Sequence, residues 1–236
     1  MNTLFAPGVS APGNHARIQT RTGAVVTRLG AMALALALCG GLTGCGFLKP
    51  AKNTTRQFVL TPLSAAGSVA TPSGAIAVGV GQLRLPAYLF NTSLAVRKGT
   101  NEIDYLGEVL WAERLDGSLQ RVLAANLAIL LPTDQIRLSA WRSEDVAVEV
   151  HVTIEQFDVD SSGRAMLVAW WRVLSPGGEK TLKAGECRVA RQGPTPEANP
   201  SGAIATLSDL VADLSRQLTQ VLKEATPAVR QVPIAK

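Results

Sequence analysis

The chain has 236 residues, with 23 Lys and Arg against 18 Asp and Glu, giving a net charge of +5. The first 44 residues hold three of the arginines and no acid, so the other 192 residues carry a net charge of only +2. This near-balance, without any run of Lys or Arg, argues against nucleic acid as a partner. A segment of 192 residues is long enough for one domain with its own hydrophobic core.

The N-terminus is typical of a bacterial lipoprotein leader. The arginines precede an apolar core from Leu29 to Leu38, which is shorter than the ~20 residues that span a bilayer. The run Leu42-Thr43-Gly44-Cys45 then places small residues before a sulfur nucleophile, as a lipobox requires. We expect residues 1–44 to be a signal peptide, Cys45 to carry acyl chains and residues 45–55 to form a lipidated tether.

The leader also predicts a location. Gly46, rather than Asp, follows the cysteine, which favours the bacterial outer membrane, with the domain facing the periplasm. Lipidation of Cys45 would leave Cys187 as the one other cysteine of the mature chain, without a disulfide partner. The alternatives are an ordinary cleaved signal or an uncleaved anchor, in which Cys45 is incidental.

The first part of the mature chain reads as strands. Apolar alternation predicts strands at Arg56–Leu60 and Ala75–Val80, separated by a loop rich in Ser, Ala, Gly and Pro. A hairpin of 94–97 and 102–106 follows. Between these elements, Leu85-Pro86-Ala87-Tyr88-Leu89 forms a turn with unusually large apolar side chains for a solvated loop.

A change of period then predicts a helix. Leu and Val recur at intervals of three and four from Leu115 to Leu131, and Pro132 ends the pattern. Gln120, Arg121 and Asn126 are expected on the polar side of this helix. Trp111 is expected at or just before the start of the helix.

Three further strands and a second helix complete the chain. Val146 to Ile154 alternates apolar residues with Glu149, His151, Thr153 and Glu155, which predicts a strand with one wet face and a bulge near Gln156. The apolar run 166–174 predicts a central strand covered on both faces, with Trp170 and Trp171 on opposite sides, and 181–189 predicts its antiparallel neighbour. An apolar stripe over 204–222 predicts a helix closed by Pro227, and residues 226–236 are expected to be a flexible tail.

This order predicts an α/β sandwich, in which a mixed, partly antiparallel sheet is packed by two main amphipathic helices.

The sequence offers little chemistry for catalysis. No nucleotide-binding glycine motif or nucleophile elbow is present, and His151 is the one histidine of the mature chain. We interpret His151 as part of a solvated strand face rather than as a metal ligand, and Cys187 as a buried, inert thiol. We therefore expect a protein that is not an enzyme and that needs no cofactor or metal. For the tryptophan pair, core packing is the simpler interpretation, and a lipid-contacting face is the alternative.

Several segments together resemble the ABC-type transport auxiliary lipoprotein family, the PqiC-like lipoproteins. They are the lipobox, Phe58–Pro62, the strand at 76–80 that leads into Leu85–Leu89, Trp111-Ala112-Glu113-Arg114-Leu115 at the helix start, and the terminal helix. The resemblance covers roughly residues 56–225. It departs at Leu110, where family members often have a polar or basic residue before the tryptophan.

The resemblance implies a non-catalytic docking component of a trans-envelope lipid transport system. Its implied partners are an MCE-domain protein and transporter subunits. The resemblance leaves open whether the chain also forms a homo-oligomer. Leu85, Pro86, Tyr88 and Leu89 are the candidate partner contact, although the same turn could instead be a structural plug over the end of the sheet. An envelope lipoprotein that regulates a cell-wall synthase is the main alternative function, and an anchored hydrolase that uses His151 is a third.

Overall fold

The computed structural model describes residues 54–64, 76–131, 133–138 and 140–230, with no side chains given beyond residue 225. The predicted signal peptide, Cys45 and most of the tether lie outside the described residues. Residues 54–236 belong to one compact unit, and the description starts at its first residue. Its helices and strands are, in chain order, β1 Arg56–Phe58, β2 Val78–Val80, β3 Ser93–Arg97, β4 Ile103–Trp111, α1 Leu115–Leu130, β5 Ile136–Leu138, β6 Val148–Asp160, β7 Arg164–Leu174, β8 Thr181–Gln192 and α2 Pro200–Arg230.

The sheet is organised around the long strand β6. On one side, β6 pairs with antiparallel β7, which pairs in turn with antiparallel β8. On the other side, the start of β6 pairs with parallel β2, and its end pairs with parallel β3. Strand β2 continues to β5, whereas β3 continues to β4 and β1. The sheet is therefore mixed, and it divides into two branches along one edge of β6.

Both helices lie on the inner face of this sheet. Helix α2 contacts β6, β7 and β8, while α1 contacts α2 and β5. Their apolar stripes meet the inward side chains of the strands in one core, whose buried members run from Leu60 to Ala225. The predicted α/β sandwich is confirmed. Because this core lies within the described residues, we expect the domain to fold without its leader or acyl chains.

Several local predictions are confirmed. Strands β3 and β4 form the predicted hairpin, although β4 runs on to Trp111, four residues before α1. The register of β6 against β7 shifts between Ile154 and Gln156, where the bulge was predicted. The apolar residues before and after the bulge are out of phase in sequence, and the extra residue of the bulge lets both sets face the core.

Three local predictions are wrong. Asn126 is fully buried instead of lying on the polar side of α1, because α2 covers that side of the helix. Helix α2 continues to Arg230, three residues past Pro227, where the sequence predicted that it would close. Strand β7 is central but is not covered on both faces, because the two helices pack on the inner face only.

Candidate functional site

The turn predicted as a partner contact closes the gap between the two branches of the sheet. Arg84 donates its backbone N–H to Val152 and accepts one from Ile154, so the chain enters the turn hydrogen-bonded to β6. A 3₁₀ turn then spans Ala87–Phe90, and Pro86 precedes it with an extended backbone. The proline ring fixes φ near the value observed, −67°, which directs the chain into the turn.

Tyr88 fixes this turn to β6 through its hydroxyl. Its hydroxyl donates to Asp158 Oδ2 at 2.9 Å and accepts the backbone N–H of Phe157 at 3.2 Å. The carbonyl of Tyr88 accepts a hydrogen bond from the hydroxyl of Tyr105 at 3.1 Å. Burial and the neighbouring charge of Asp158 raise the pKa of Tyr88, so its hydroxyl stays protonated and continues to donate.

Asp158 is a buried carboxylate, 2% exposed, that is fully engaged by side chains. Arg97 donates to it from Nη2 at 2.7 Å, and Gln156 donates from Nε2 at 2.9 Å. The hydrogen bond to Asp158 raises the pKa of Arg97, so the guanidinium stays charged. Because a buried charge is tolerated only when it is paired and hydrogen-bonded, these contacts fix the position of the Tyr88 turn.

The four predicted contact residues therefore divide into two groups. Leu89 is 4% exposed, and the hydroxyl of Tyr88 points into the Asp158 cluster, which fits the structural alternative for these two. Leu85 and Pro86 are partly exposed. Contact of this turn with a partner stays a prediction.

The most exposed large apolar side chain of the turn is Phe90, which the sequence analysis missed. Its ring is 53% exposed, and the guanidinium of Arg114 lies 5.5 Å from the ring centroid. A cavity of about 210 Å³ lies beside this pair, lined by residues 89–92 and 111–115. Trp111 donates its backbone N–H to the carbonyl of Thr92 at 2.8 Å, which joins the two segments. We call Phe90, Trp111 and Arg114, with this cavity, the Phe90 site.

The Phe90 site brings together the two motif segments on which the family resemblance rests. The turn at 85–89 leads into Phe90, and the helix-start motif 111–115 contributes Trp111 and Arg114. Arg114 also pairs with Asp116 at 2.9 Å, and this pair lowers the pKa of Asp116. The position of Phe90 directly after an apolar turn was the available signal for it.

A second polar cluster lies at the start of β6. Glu149 was predicted on the wet face but is 7% exposed, because Trp141 and the turn Pro176–Gly178 cover it. Its carboxylate accepts from Trp141 Nε1 at 3.3 Å and from the Gly177 N–H at 2.9 Å, and it lies 3.1 Å from His151 Nε2. Burial favours the neutral acid, but these hydrogen bonds outweigh it and hold the pKa of Glu149 below its ordinary value. Within the ranges that the structure describes, no three His, Cys, Asp or Glu side chains are placed to hold a metal ion.

The two tryptophans lie on opposite faces of β7, as predicted. Trp171 faces the core and is 6% exposed, whereas Trp170 faces outward and is 52% exposed. A cavity of about 490 Å³ lies on the outer face beside Trp170. We call it the outer groove; Gln82, Arg84, His151, Thr153, Trp170 and Arg172 line it.

Cys187 is buried on β8, as predicted. Burial, together with the negative charges of Asp213 and Glu186, raises the pKa of its thiol to about 11. A thiol in this environment carries almost no thiolate at neutral pH, so it is a poor nucleophile.

The comparison with protein families identifies the chain. A family model described as the ABC-type transport auxiliary lipoprotein component matches residues 58–219. The chain belongs to this family. The match includes β6, the Phe90 site and most of α2, and it confirms the resemblance drawn from the sequence. Membership implies a membrane-anchored location in the cell envelope and an auxiliary role in ABC-type transport, which suggests a function other than catalysis.

Two solved structures with TM-scores above 0.5 support the fold. One structure, described as that of an uncharacterized protein, is 18% identical with a TM-score of 0.58, over 71% of this chain and 98% of the other. The crystal structure of protein XCC0632 from Xanthomonas campestris is 12% identical with a TM-score of 0.58, over 75% of this chain and 100% of the other. A PelC dodecamer from Paraburkholderia phytofirmans is 12% identical with a TM-score of 0.38, over 67% of this chain and 93% of the other. The comparison with curated proteins found no significant match.

Neither helix within the described ranges is long and apolar enough to cross a membrane.

Proposed function

We propose that this protein is an outer-membrane-anchored, periplasm-facing docking component of an MCE/ABC-type lipid transport system, with no catalytic activity of its own. The observation that carries this proposal is the match of residues 58–219 to the transport auxiliary lipoprotein family. The contacts within the domain fit a docking role, because the described polar clusters around Asp158 and Glu149 are satisfied by neighbouring protein groups. Such clusters fix positions rather than leave groups free for chemistry.

The anchor in this proposal is Cys45. Two or more acyl chains give stable membrane attachment, whereas a single chain does not. The described domain starts at Thr54, so the intervening tether reaches at most about 30 Å when fully extended. A lipidated Cys45 would therefore keep the domain close to the membrane surface.

Fractionation of cell envelopes tests the anchor. We expect the wild-type protein in the outer membrane fraction and Cys45→Ala outside it, because the variant has no sulfur to acylate. Outer membrane retention of Cys45→Ala would contradict the lipid anchor. Wild-type protein in the inner membrane fraction would leave the anchor intact and contradict the outer membrane.

The contact surface that we propose for the MCE-domain protein is the Phe90 site together with the exposed parts of Leu85 and Pro86. Aromatic and arginine side chains beside a cavity are typical of the residues that dominate binding energy at interfaces. Phe90 and Arg114 combine these two side-chain types on a surface supported by the buried Asp158 cluster. A rigid support lowers the entropic cost of binding.

Copurification tests both the partner and the surface. We expect the tagged wild-type lipoprotein to retain an MCE-domain protein and Phe90→Ser with Arg114→Gln to lose it. The matched control is Leu138→Ser, since Leu138 is 45% exposed on β5 and lies outside the Phe90 site. Absence of any MCE-domain protein from the wild-type sample would contradict the partner, and capture of a peptidoglycan synthase would support the cell-wall alternative. Retention by the double variant would contradict the surface.

A further inference from the structure

The outer groove carries two cationic side chains that no ion pair neutralises in the part of the chain that the structure describes. Arg84 and Arg172 line the groove, and neither forms an ion pair or a side-chain hydrogen bond in the described ranges. Of the acidic groups nearby, Glu186 pairs with Arg188 at 2.7 Å, Glu149 accepts from Trp141 and Gly177, and Glu155 is exposed further along β6. The described lining of the groove itself contains both arginines and no acidic residue, so the groove presents positive charge to solvent.

The pairing of the strands brings both cations close to one exposed indole. Arg84 pairs with Thr153, which lies opposite Trp170. Because neighbouring strands are about 4.8 Å apart, the Cα atoms of Arg84 and Trp170 are separated by roughly 10 Å. Arg172 follows Trp170 by two residues on β7, so it shares the outer face. Trp170 thus shares the groove with both guanidinium groups and forms an apolar wall beside them.

We propose that the outer groove binds the phosphodiester headgroup of an anionic phospholipid, with Arg84 and Arg172 on the phosphate and Trp170 against the glycerol region. Guanidinium groups bind phosphate oxygens with charge-assisted hydrogen bonds. Tryptophan combines an apolar body with a polar edge, and it is enriched where lipid meets water. The volume of the groove, about 490 Å³, lies within the range of small-ligand sites.

A phospholipid fits this site better than an acidic peptide does. Extended peptides are held mainly through main-chain hydrogen bonds to an exposed strand edge. Around Arg84, Trp170 and Arg172 the groove offers no such edge, since β6 is paired with β7 and with the Arg84 segment, and β7 is paired with β8. Within the described ranges, β8 contributes Ala184 and Gly185 to the lining and is paired on one side. Recognition at the two arginines must therefore come from side chains, which suits a compact anionic headgroup. This inference rests on the proposed envelope location, but it does not depend on the MCE-domain partner.

Vesicle sedimentation tests the proposal with unlipidated chain 46–236, which contains the complete described core. We expect binding to vesicles of phosphatidylcholine with phosphatidylglycerol, weak binding to pure phosphatidylcholine, and weakening by salt. Arg84→Gln with Arg172→Gln should reduce binding to the anionic vesicles by roughly 30-fold, from about fivefold per arginine near an anionic surface. The emission of Trp170 should shift to shorter wavelength on binding, and Trp170→Ala should lose that shift.

The control is Arg121→Gln with Arg216→Gln, which removes the same charge from α1 and α2 on the other side of the sheet. We expect it to bind the anionic vesicles within a factor of two or three of wild type. Equal binding to the two vesicle types, or an equal loss in both double variants, would overturn the proposal. Groove variants that bind vesicles normally but lose a copurifying protein would assign the groove to a protein partner and would also overturn it. Loss of the MCE-domain partner alone would bear on the proposed function and not on this site.

Discussion

The two faces of β7 carry the same side chain at adjacent positions, with opposite consequences. Trp171 packs under the helices, whereas Trp170 stands in the outer groove. The inner face is apolar and continuous, while the outer face holds two satisfied carboxylate clusters, around Asp158 and Glu149, with an open cationic groove. This difference indicates that the inner face supplies stability and that the outer face and its edges are available for recognition.

Replacement of each tryptophan tests this comparison most directly. Trp171→Ala should lower the free energy of unfolding by about 3–5 kcal/mol, because it opens a large cavity in the core. Trp170→Ala should change it by no more than about 0.5 kcal/mol, as is usual for exposed positions. Urea denaturation of unlipidated chain 46–236, followed by circular dichroism, gives both values. Similar losses for the two variants would refute the assignment of separate roles to the two faces.

Asn126 tests whether the helix layer is held by polar contacts as well as by its apolar stripes. Its Oδ1 accepts the Leu63 N–H at 2.7 Å, and its Nδ2 donates to Ser215 Oγ at 3.1 Å. Asn126→Ala should cost about 2–3 kcal/mol, since it leaves the Leu63 N–H unpaired and removes buried volume. The control is Arg121→Ala on the exposed side of α1, which we expect to stay within about 0.5 kcal/mol of wild type by the same denaturation. A loss for Asn126→Ala as small as that of the control would contradict the buried role.

Sequence reasoning worked where a structural element is defined by its own periodicity. The alternation around Val150 was sufficient for β6 and its bulge, and the stripes of leucine were sufficient for α1 and α2. It failed where a side chain meets distant segments. The two partners of Asn126 lie 63 and 89 residues away, so no local pattern showed that this amide would be buried. The cover of Glu149 by Trp141 and the turn at 176–178 is non-local in the same way.

The candidate sites follow the same rule. The large apolar turn at 85–89 was visible as an anomaly, but its inward anchoring depends on Asp158, which lies 70 residues from Tyr88. The Phe90 site requires the hairpin register that places Thr92 against Trp111. The outer groove requires three separate segments to align across β6 and β7. Sequence therefore predicted the segments involved, and tertiary pairing determined which of their side chains share a surface.

Tyr88→Phe separates anchoring of the turn from exposure at the Phe90 site. The variant keeps the ring but removes the hydroxyl that donates to Asp158 and accepts from Phe157. We expect a loss of about 1–2 kcal/mol in urea denaturation, because Arg97 and Gln156 still satisfy the carboxylate. In the copurification assay, we expect weaker partner retention at unchanged protein level, since Phe90 would lose its rigid support. Phe90→Ser should lose retention at normal stability, and an equal loss of stability in the two variants would remove the distinction.

Glu149→Gln should have the smallest effect, and that effect should depend on pH. The folded pKa of Glu149 is held below its unfolded value, about 4.3, by hydrogen bonds that favour the carboxylate. A group of this kind stabilises the fold above the unfolded pKa, and its contribution disappears as pH falls through the folded pKa. We therefore expect wild type to be more stable than Glu149→Gln at pH 6 and the two unfolding curves to converge towards pH 3. The control is Glu155→Gln, since Glu155 is exposed and makes no described side-chain hydrogen bond. A constant difference between wild type and Glu149→Gln across this range would show that the carboxylate contributes through packing, and the outer face would then lack one of its two electrostatic clusters.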